Sequence, residues 1–373
     1  MEYPPCLNGT DKSTYLLTLR PEVALPYIII VAVMGIVGTL GNLLIMATVG
    51  FSTCEKHIEN MFIFNLACSD MLVTALVDPF AVIGVAKGMR FYDDKPGLNA
   101  ALGSVCMISC ASSLLSIGFI AINRYVYICN YGRYRSIFTR STTAACCVTT
   151  WLFGVVIDAP AHVHWTSDGR VPLSARDSGL PVYGYTVFYL TAGVVVPFVV
   201  ITICYVRIFI YINAAKQKVR RFTRQSAHKT LMKAIRQARM MLVIFLTYTV
   251  CWTPYLVVLY ANVNRTLPHL LLLYAALFAH LHATGNFVVY GVCNKRFRDD
   301  CAALLGRLRL PCVRLKACLS HTSLLCERDC ERVEEPVALN ALMSCPYQEP
   351  INTNGVHHNG AVVSPAHKLT DPS

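Results

Sequence analysis

Seven stretches of this chain carry almost no charge, and each is long enough to cross a bilayer. Spans free of Asp, Glu, Lys and Arg run from Val23 to Cys54, Pro96 to Asn123, Ser178 to Val206, Met240 to Asn264 and Thr266 to Asn294. Two more, around Met61–Ala86 and Thr142–His164, contain only Asp70, Asp78 and Asp158. A helix through hydrocarbon needs roughly 20 apolar residues. The alternating pattern of an outer-membrane barrel is absent. Only 14% of residues are charged and the mean hydropathy is +0.48, whereas a soluble domain carries about a quarter charged residues. The expected fold is an all-α membrane protein, a seven-transmembrane helix bundle with a short amphipathic eighth helix.

The net charge of +12 raises the question of nucleic acid, and its placement answers it. With the N-terminus outside, the inner connections hold Lys56, then Arg133, Arg135 and Arg140, then nine basic residues from Lys216 to Arg239, then Lys295, Arg296 and Arg298. That is sixteen basic residues inside against eight outside. Basic residues are retained on the cytosolic side, so the bias orients the chain with its N-terminus out. The excess charge serves topology and a cytosolic partner, and no nucleic-acid partner is expected. The expected layout is an extracellular N-terminus over 1–24, the bundle over 25–293, the amphipathic helix over 294–306 and a largely disordered cytosolic tail over 307–373. Residues 1–22 hold no apolar core of a cleavable signal. Asn8-Gly-Thr10 and Asn264-Arg-Thr266 are glycosylation sequons on outer segments, with Asn8 the better placed. Of seventeen cysteines only Cys6 is clearly extracellular, so no secreted disulfide framework is expected.

Each span carries a polar or kinked landmark. They are Gly41-Asn42 in the first, Asn65-Leu-Ala-Cys-Ser-Asp70 in the second, Asn123-Arg124-Tyr125 at the end of the third and Trp151 in the fourth. The fifth has Pro197 and Tyr205, the sixth Cys251-Trp252-Thr253-Pro254-Tyr255, and the seventh Asn286-Phe-Val-Val-Tyr290. Polar groups in mid-membrane are costly unless bonded to another helix, and an intramembrane carboxylate such as Asp70 marks a functional site by default. Taken in order, these residues resemble the rhodopsin-like class of G-protein-coupled receptors. Ala-Ile-Asn-Arg-Tyr-Val-Tyr-Ile-Cys129 and Asn286-x-x-x-Tyr290-Gly are locally most similar to the melatonin-receptor-related group.

The resemblance implies roles. Arg124, flanked by Asn123 and Tyr125, receives the C-terminal helix of a heterotrimeric G protein when the sixth helix swings out. Tyr205 and Tyr290 turn inward to support it, and Asn286 belongs to the same activation switch. Trp252 sits under a ligand pocket, and Pro254 is the kink about which the sixth helix moves. Asn42, Asp70, Ser113 and His282 form a core polar pocket. Many relatives rest a sodium ion there. In this chain His282 stands at the seventh-helix position, and two readings are open: an imidazolium replaces the cation, or a neutral ring bonds to backbone or water. No other cofactor is implied, and no catalytic residues or metal ligands, so an enzyme is not expected.

The departures carry expectations of their own. Asn123 replaces the acid that usually precedes the arginine, and Ala234 stands where a sixth-helix acid often pairs with it. Arg124 is therefore expected to lack both usual ionic partners, with elevated basal signalling as the consequence. Phe287 replaces a proline in the seventh-helix motif. Asn99 occupies the usual third-helix disulfide position and the segment from Trp165 to Tyr185 has no cysteine, so that bridge is absent.

Cys106 stands where amine receptors place an acid, which disfavours a monoamine. The seventh span contains no lysine, which excludes a retinal Schiff base. Ala161 and Gly193 replace the asparagine and histidine of the melatonin group, which disfavours melatonin itself. Candidate lining residues are Cys106, Cys110, Tyr189, Trp252, Tyr255 and His280. The ligand, small molecule or peptide, stays unassigned.

On the inner side, a basic connector between Ala214 and Lys229 suits anionic membrane lipids and a G protein alike. Cys301 and Cys312 are candidate palmitoylation sites. Ser320, Thr322 and Ser323 are candidate phosphosites for a receptor kinase and arrestin. The reading is a plasma-membrane receptor. Its alternatives are a receptor-shaped scaffold that does not couple, and a seven-helix transporter, which would call for internal repeats that the sequence does not display.

Overall fold

The computed structural model describes residues 20–50, 58–88, 90–163, 188–222, 225–261 and 267–307. Seven helices are of membrane-crossing length and apolarity: α1 Pro21–Gly50, α2 Glu59–Lys87, α3 Pro96–Cys129, α4 Arg140–Val163, α5 Val196–Phe222, α6 Gln225–Ala261 and α7 His269–Cys293. An eighth, α8, spans Lys295–Arg307. No strand occurs among the described residues. Asn8, Asn264, Cys312, the second outer loop and the tail beyond Arg307 lie outside them.

The bundle is apolar on its outside as well as within. Leu40, Phe209, Val292 and Ile36 are all exposed, as expected of helices whose solvent on that side is lipid. In the most apolar window of α3, 61% of residues are buried, against 28–39% for the others. That makes α3 the central helix. Its neighbours come close because small residues face the contacts: a Cβ on Gly154 of α4 would lie 2.8 Å from the Ile108 carbonyl of α3.

Polar side chains fasten helix to helix. Asn65 of α2 donates to Ser116 of α3 at 2.8 Å and to Thr150 of α4 at 3.0 Å, and accepts from Trp151 Nε1 at 2.9 Å. Asn42 of α1 donates to the Ala283 carbonyl of α7 at 3.0 Å. In hydrocarbon these donors have no water to fall back on.

Two irregular turns adjust the register. α2 contains a π-turn at Val73–Val77, and α5 is entered through another at Tyr189–Val195. A π-turn holds one extra residue. In an unbroken α-helix, Asp78 would sit about 80° around the axis from Asp70. The extra residue of the turn removes that offset, and both aspartates are buried.

The phenylalanine at 287 is accommodated from α1. A Cβ on Gly41 would lie 2.6 Å from Phe287 Cδ1, so only glycine leaves room for the ring. Phe287 also meets Phe297 of α8 edge-on at 6.4 Å. The bulky side chain thus fills a slot between α1, α7 and α8.

Asn294 caps α8 by accepting from the Phe297 N–H at 3.1 Å, and Arg298 donates to the Gly291 and Val292 carbonyls that end α7. Cys301 faces the core beside Phe297 and is buried. Burial and the neighbouring Asp300 push its thiol up to about 11, because both disfavour thiolate. This goes against acylation at Cys301, since the thiol is turned from the surface on which a lipid would be attached.

Candidate activation and ligand sites

Three polar levels run through the bundle, all built on the facing surfaces of α2 and α3. The middle level is centred on Asp70. Ser113 of α3 donates to Asp70 Oδ1, Asn286 of α7 donates to Oδ2 at 2.6 Å, and Ser69 meets Ser113 at 3.0 Å. His282 Nε2 stands 3.7 Å from Asp70 Oδ1 with no hydrogen-bond partner. Its Nδ1 lies 2.7 Å from the Ala279 carbonyl, so that nitrogen carries the proton and donates one turn back along α7. Trp252 Nε1 approaches the same nitrogen at 3.3 Å.

These residues do not fit a resident sodium ion. The α7 position offers an imidazole where an oxygen ligand is needed, and both carboxylate oxygens already accept from protein donors. The ring lies beside the carboxylate. Its backbone bond is the one anticipated for a neutral histidine.

The inner level holds Arg124 and corrects an expectation. Both terminal guanidinium nitrogens donate to the two carboxylate oxygens of Glu59, at the first turn of α2. One of them also donates to Gln237 Oε1 of α6 at 3.2 Å. The Arg124 side chain is 3% exposed and that of Glu59 16%. The arginine therefore has an ionic partner, supplied by α2 rather than by its own helix or by α6. A paired, bidentate arginine this enclosed is firmly held. Asn123 bonds elsewhere: its amide donates to the Tyr134 hydroxyl at 3.3 Å, on a short inner-loop helix Tyr131–Ile137. Burial, and then the charge of Glu59, raise the Tyr134 hydroxyl above its ordinary range. Tyr125 is half-buried against the core.

Glu59 was missed in the sequence, although a signal was present. Asp70 and Ser113 face one another. Eleven residues toward the inner side on each helix is about three turns, and that step lands on Glu59 and Arg124. Because α2 and α3 are antiparallel, the two pairs fall at matching depths.

Tyr205 and Tyr290 complete the inner level. Both hydroxyls are buried without a hydrogen-bond partner. Tyr205 packs on Phe245 of α6 and Tyr290 on Phe297 of α8.

The outer level contains most of the expected ligand residues. Trp252 stacks on Tyr248 at 5.5 Å and meets Tyr255 edge-on at 5.8 Å. Cys106 Sγ lies 3.4 Å from His280 Nε2, and His280 Nδ1 lies 2.8 Å from Asp78 Oδ1. Cys110 is buried one turn further in, with its carbonyl accepting from Tyr248. Tyr189 opens the π-turn of α5, but its side chain is outside the described set. All cysteines among the described residues are free, and no cluster of three or more His, Cys, Asp or Glu there is arranged to hold a metal.

Comparison with known proteins fits this architecture. The chain is 27% identical to the melatonin receptor type 1C of Xenopus laevis over 313 residues, covering 82% of this chain and 71% of that protein. It is 27% identical to the human melatonin receptor type 1B over 327 residues, covering 82% and 86%. The crystal structure of squid rhodopsin superposes with a TM-score of 0.66 at 20% identity, covering 88% of this chain and 97% of that one. The family model described as 7 transmembrane receptor (rhodopsin family) matches residues 41–290. The chain is therefore a multi-pass, non-enzymatic membrane receptor that belongs to the rhodopsin family.

Proposed function

We propose that this receptor passes an extracellular ligand signal to a heterotrimeric G protein at the plasma membrane, with its N-terminus outside. The observation that carries this reading is the position of Arg124. It joins the inner ends of α2, α3 and α6 through Glu59 and Gln237. An outward swing of α6 withdraws Gln237 and opens the surface over the arginine. The unpartnered hydroxyls of Tyr205 and Tyr290 support the same reading, since a rearrangement that gives them partners recovers a buried desolvation cost of about 1–3 kcal/mol each. The positive-inside bias supports the orientation. Arrestin and a receptor kinase are proposed partners of the tail, and anionic lipids of the basic connector.

The ligand is a small molecule or peptide whose chemistry differs from that of a monoamine. Cys106 takes the place of the usual amine-binding acid, and it is engaged with His280. The melatonin receptors are relatives, yet Ala161 and Gly193 stand where that group has an asparagine and a histidine. Melatonin is accordingly disfavoured.

The test is basal and serum-stimulated nucleotide exchange across a panel of G proteins, with Arg124→Ala expressed at equal surface density. A signal lost in the variant supports coupling and names the transducer. A signal unchanged by Arg124→Ala, or silence of the parent protein toward every G protein in both conditions, overturns it in favour of the non-coupling scaffold.

A further inference from the structure

The outer level holds a group whose arrangement goes beyond ligand contact. Asp78 of α2, His280 of α7 and Cys106 of α3 form an unbroken line: carboxylate to Nδ1 at 2.8 Å, and Nε2 to sulfur at 3.4 Å. We propose that these three residues are a thiol–imidazole–carboxylate site that captures an α,β-unsaturated carbonyl ligand by conjugate addition to Cys106.

The three helices deliver the side chains for separate reasons. The π-turn in α2 brings Asp78 back onto the interior face. Cys106 is two turns outward of Ser113 on α3, at the depth of Asp78. His280 descends from α7 between them. Each role then follows from hydrogen-bond direction. Asp78 is buried and accepts from His280 Nδ1, which fixes the tautomer and leaves the Nε2 lone pair facing the thiol. Asp78 Oδ2 has no partner although it is buried. The carboxylate is thus free to stabilise the positive charge the ring gains when it takes the thiol proton. Cys106 is half-buried and the His280 side chain is 16% exposed, so the sulfur is enclosed without being sealed. Other titratable groups near the line are Cys110, against Cys106 on α3, and Tyr27 of α1, near Asp78.

The step balances without an outside oxidant. His280 Nε2 accepts the proton of the Cys106 S–H. The thiolate pair forms a bond to the β-carbon of the ligand, and the carbon–carbon π pair shifts toward the carbonyl as an enolate. The imidazolium then returns its proton to the α-carbon. One S–H and one π bond are lost, and one S–C and one C–H bond are formed. The soft thiolate favours a soft carbon electrophile.

The test uses the full-length receptor in lipid nanodiscs with 2-cyclopentenone as probe, and reads adducts by peptide mass spectrometry. Cys293, exposed at the inner end of α7, is the internal reference thiol. Cys106 should react at least about tenfold faster than Cys293. Its rate should be nearly flat between about pH 6.5 and 8.5. In His280→Gln the rate should fall about tenfold and then climb with pH as an unassisted thiol does. Asp78→Asn retains the ring and the shape of the site. It serves as the second variant if His280→Gln fails to reach the surface, and it should slow the reaction in the same direction. Reaction at Cys106 no faster than at Cys293, or an unchanged rate and pH profile in the folded variant, overturns the proposal. Labelling needs no G protein, so its result is independent of the coupling reading.

Discussion

Removing the charge of Glu59 should switch the receptor on. In the resting arrangement Glu59 accepts from both terminal nitrogens of an Arg124 that is almost fully enclosed. Glu59→Gln keeps the size and one acceptor while deleting the charge and one of the two paired bonds. A hydrogen bond to a charged group contributes about 1.5–3 kcal/mol. Full disruption of a buried pair costs about 3–5 kcal/mol, and the part-exposed glutamate places this pair below that range. If the pair exists only in the resting state, its loss shifts the resting-to-active ratio by roughly tenfold to a hundredfold, since about 1.4 kcal/mol is a factor of ten. A receptor with about 1% active at rest would then show about 10% or more. The assay is basal GTPγS binding in membranes with the coupled G protein, at matched surface density. Gln237→Ala, which removes the α6 hydrogen bond to Arg124, should raise basal exchange by a smaller factor. If basal exchange in Glu59→Gln stays within twofold of the parent or falls, the pair does not hold the resting state and the reasoning fails.

Three further outcomes follow from the packing. Gly41→Ala forces a methyl against the Phe287 ring and should lower the detergent melting temperature by several degrees, in line with overpacking costs of about 1–3 kcal/mol; Phe287→Ala in the same chain should restore part of the loss, and additive effects would refute the contact. Tyr290→Phe and Tyr205→Phe remove hydroxyls that have no partner at rest, so thermal stability should hold or rise while stimulated exchange falls; a destabilised resting state would show that the hydroxyls are bonded there. The Cys301 thiol, pushed up to about 11, is an acid whose neutral form is favoured, so its thiolate appears only as pH rises toward that value. At pH 8 about one part in a thousand is thiolate, and iodoacetamide should alkylate exposed Cys293 well before Cys301 in time-resolved peptide mass spectrometry. Equal rates would place Cys301 at the surface after all.

The charge-free spans were enough to foretell seven membrane helices, because in hydrocarbon length and apolarity leave few alternatives. The landmarks put Asp70, Ser113 and His282 in one polar pocket, and these residues meet in the bundle; the approach of Asn286 to Asp70 and of Trp252 to His282 was not anticipated. The partner of Arg124 was not legible in this way: the usual acid positions, beside the arginine and on α6, hold Asn123 and Ala234, and the acid that pairs with it lies three turns below Asp70 on α2. Local sequence cannot show that pairing, since Glu59 and Arg124 are far apart along the chain.

The sequence by itself determined what must be solved in lipid: the number of helices and the polar residues that need partners. Only the tertiary structure decided who those partners are. Depth along two antiparallel helices matches Glu59 to Arg124. The added residue of a π-turn sets Asp78 against His280. The missing Cβ of Gly41 admits Phe287. In each case the deciding quantity is a rotation or a distance between helices. Those depend on how the whole bundle packs, and no single stretch of sequence encodes them.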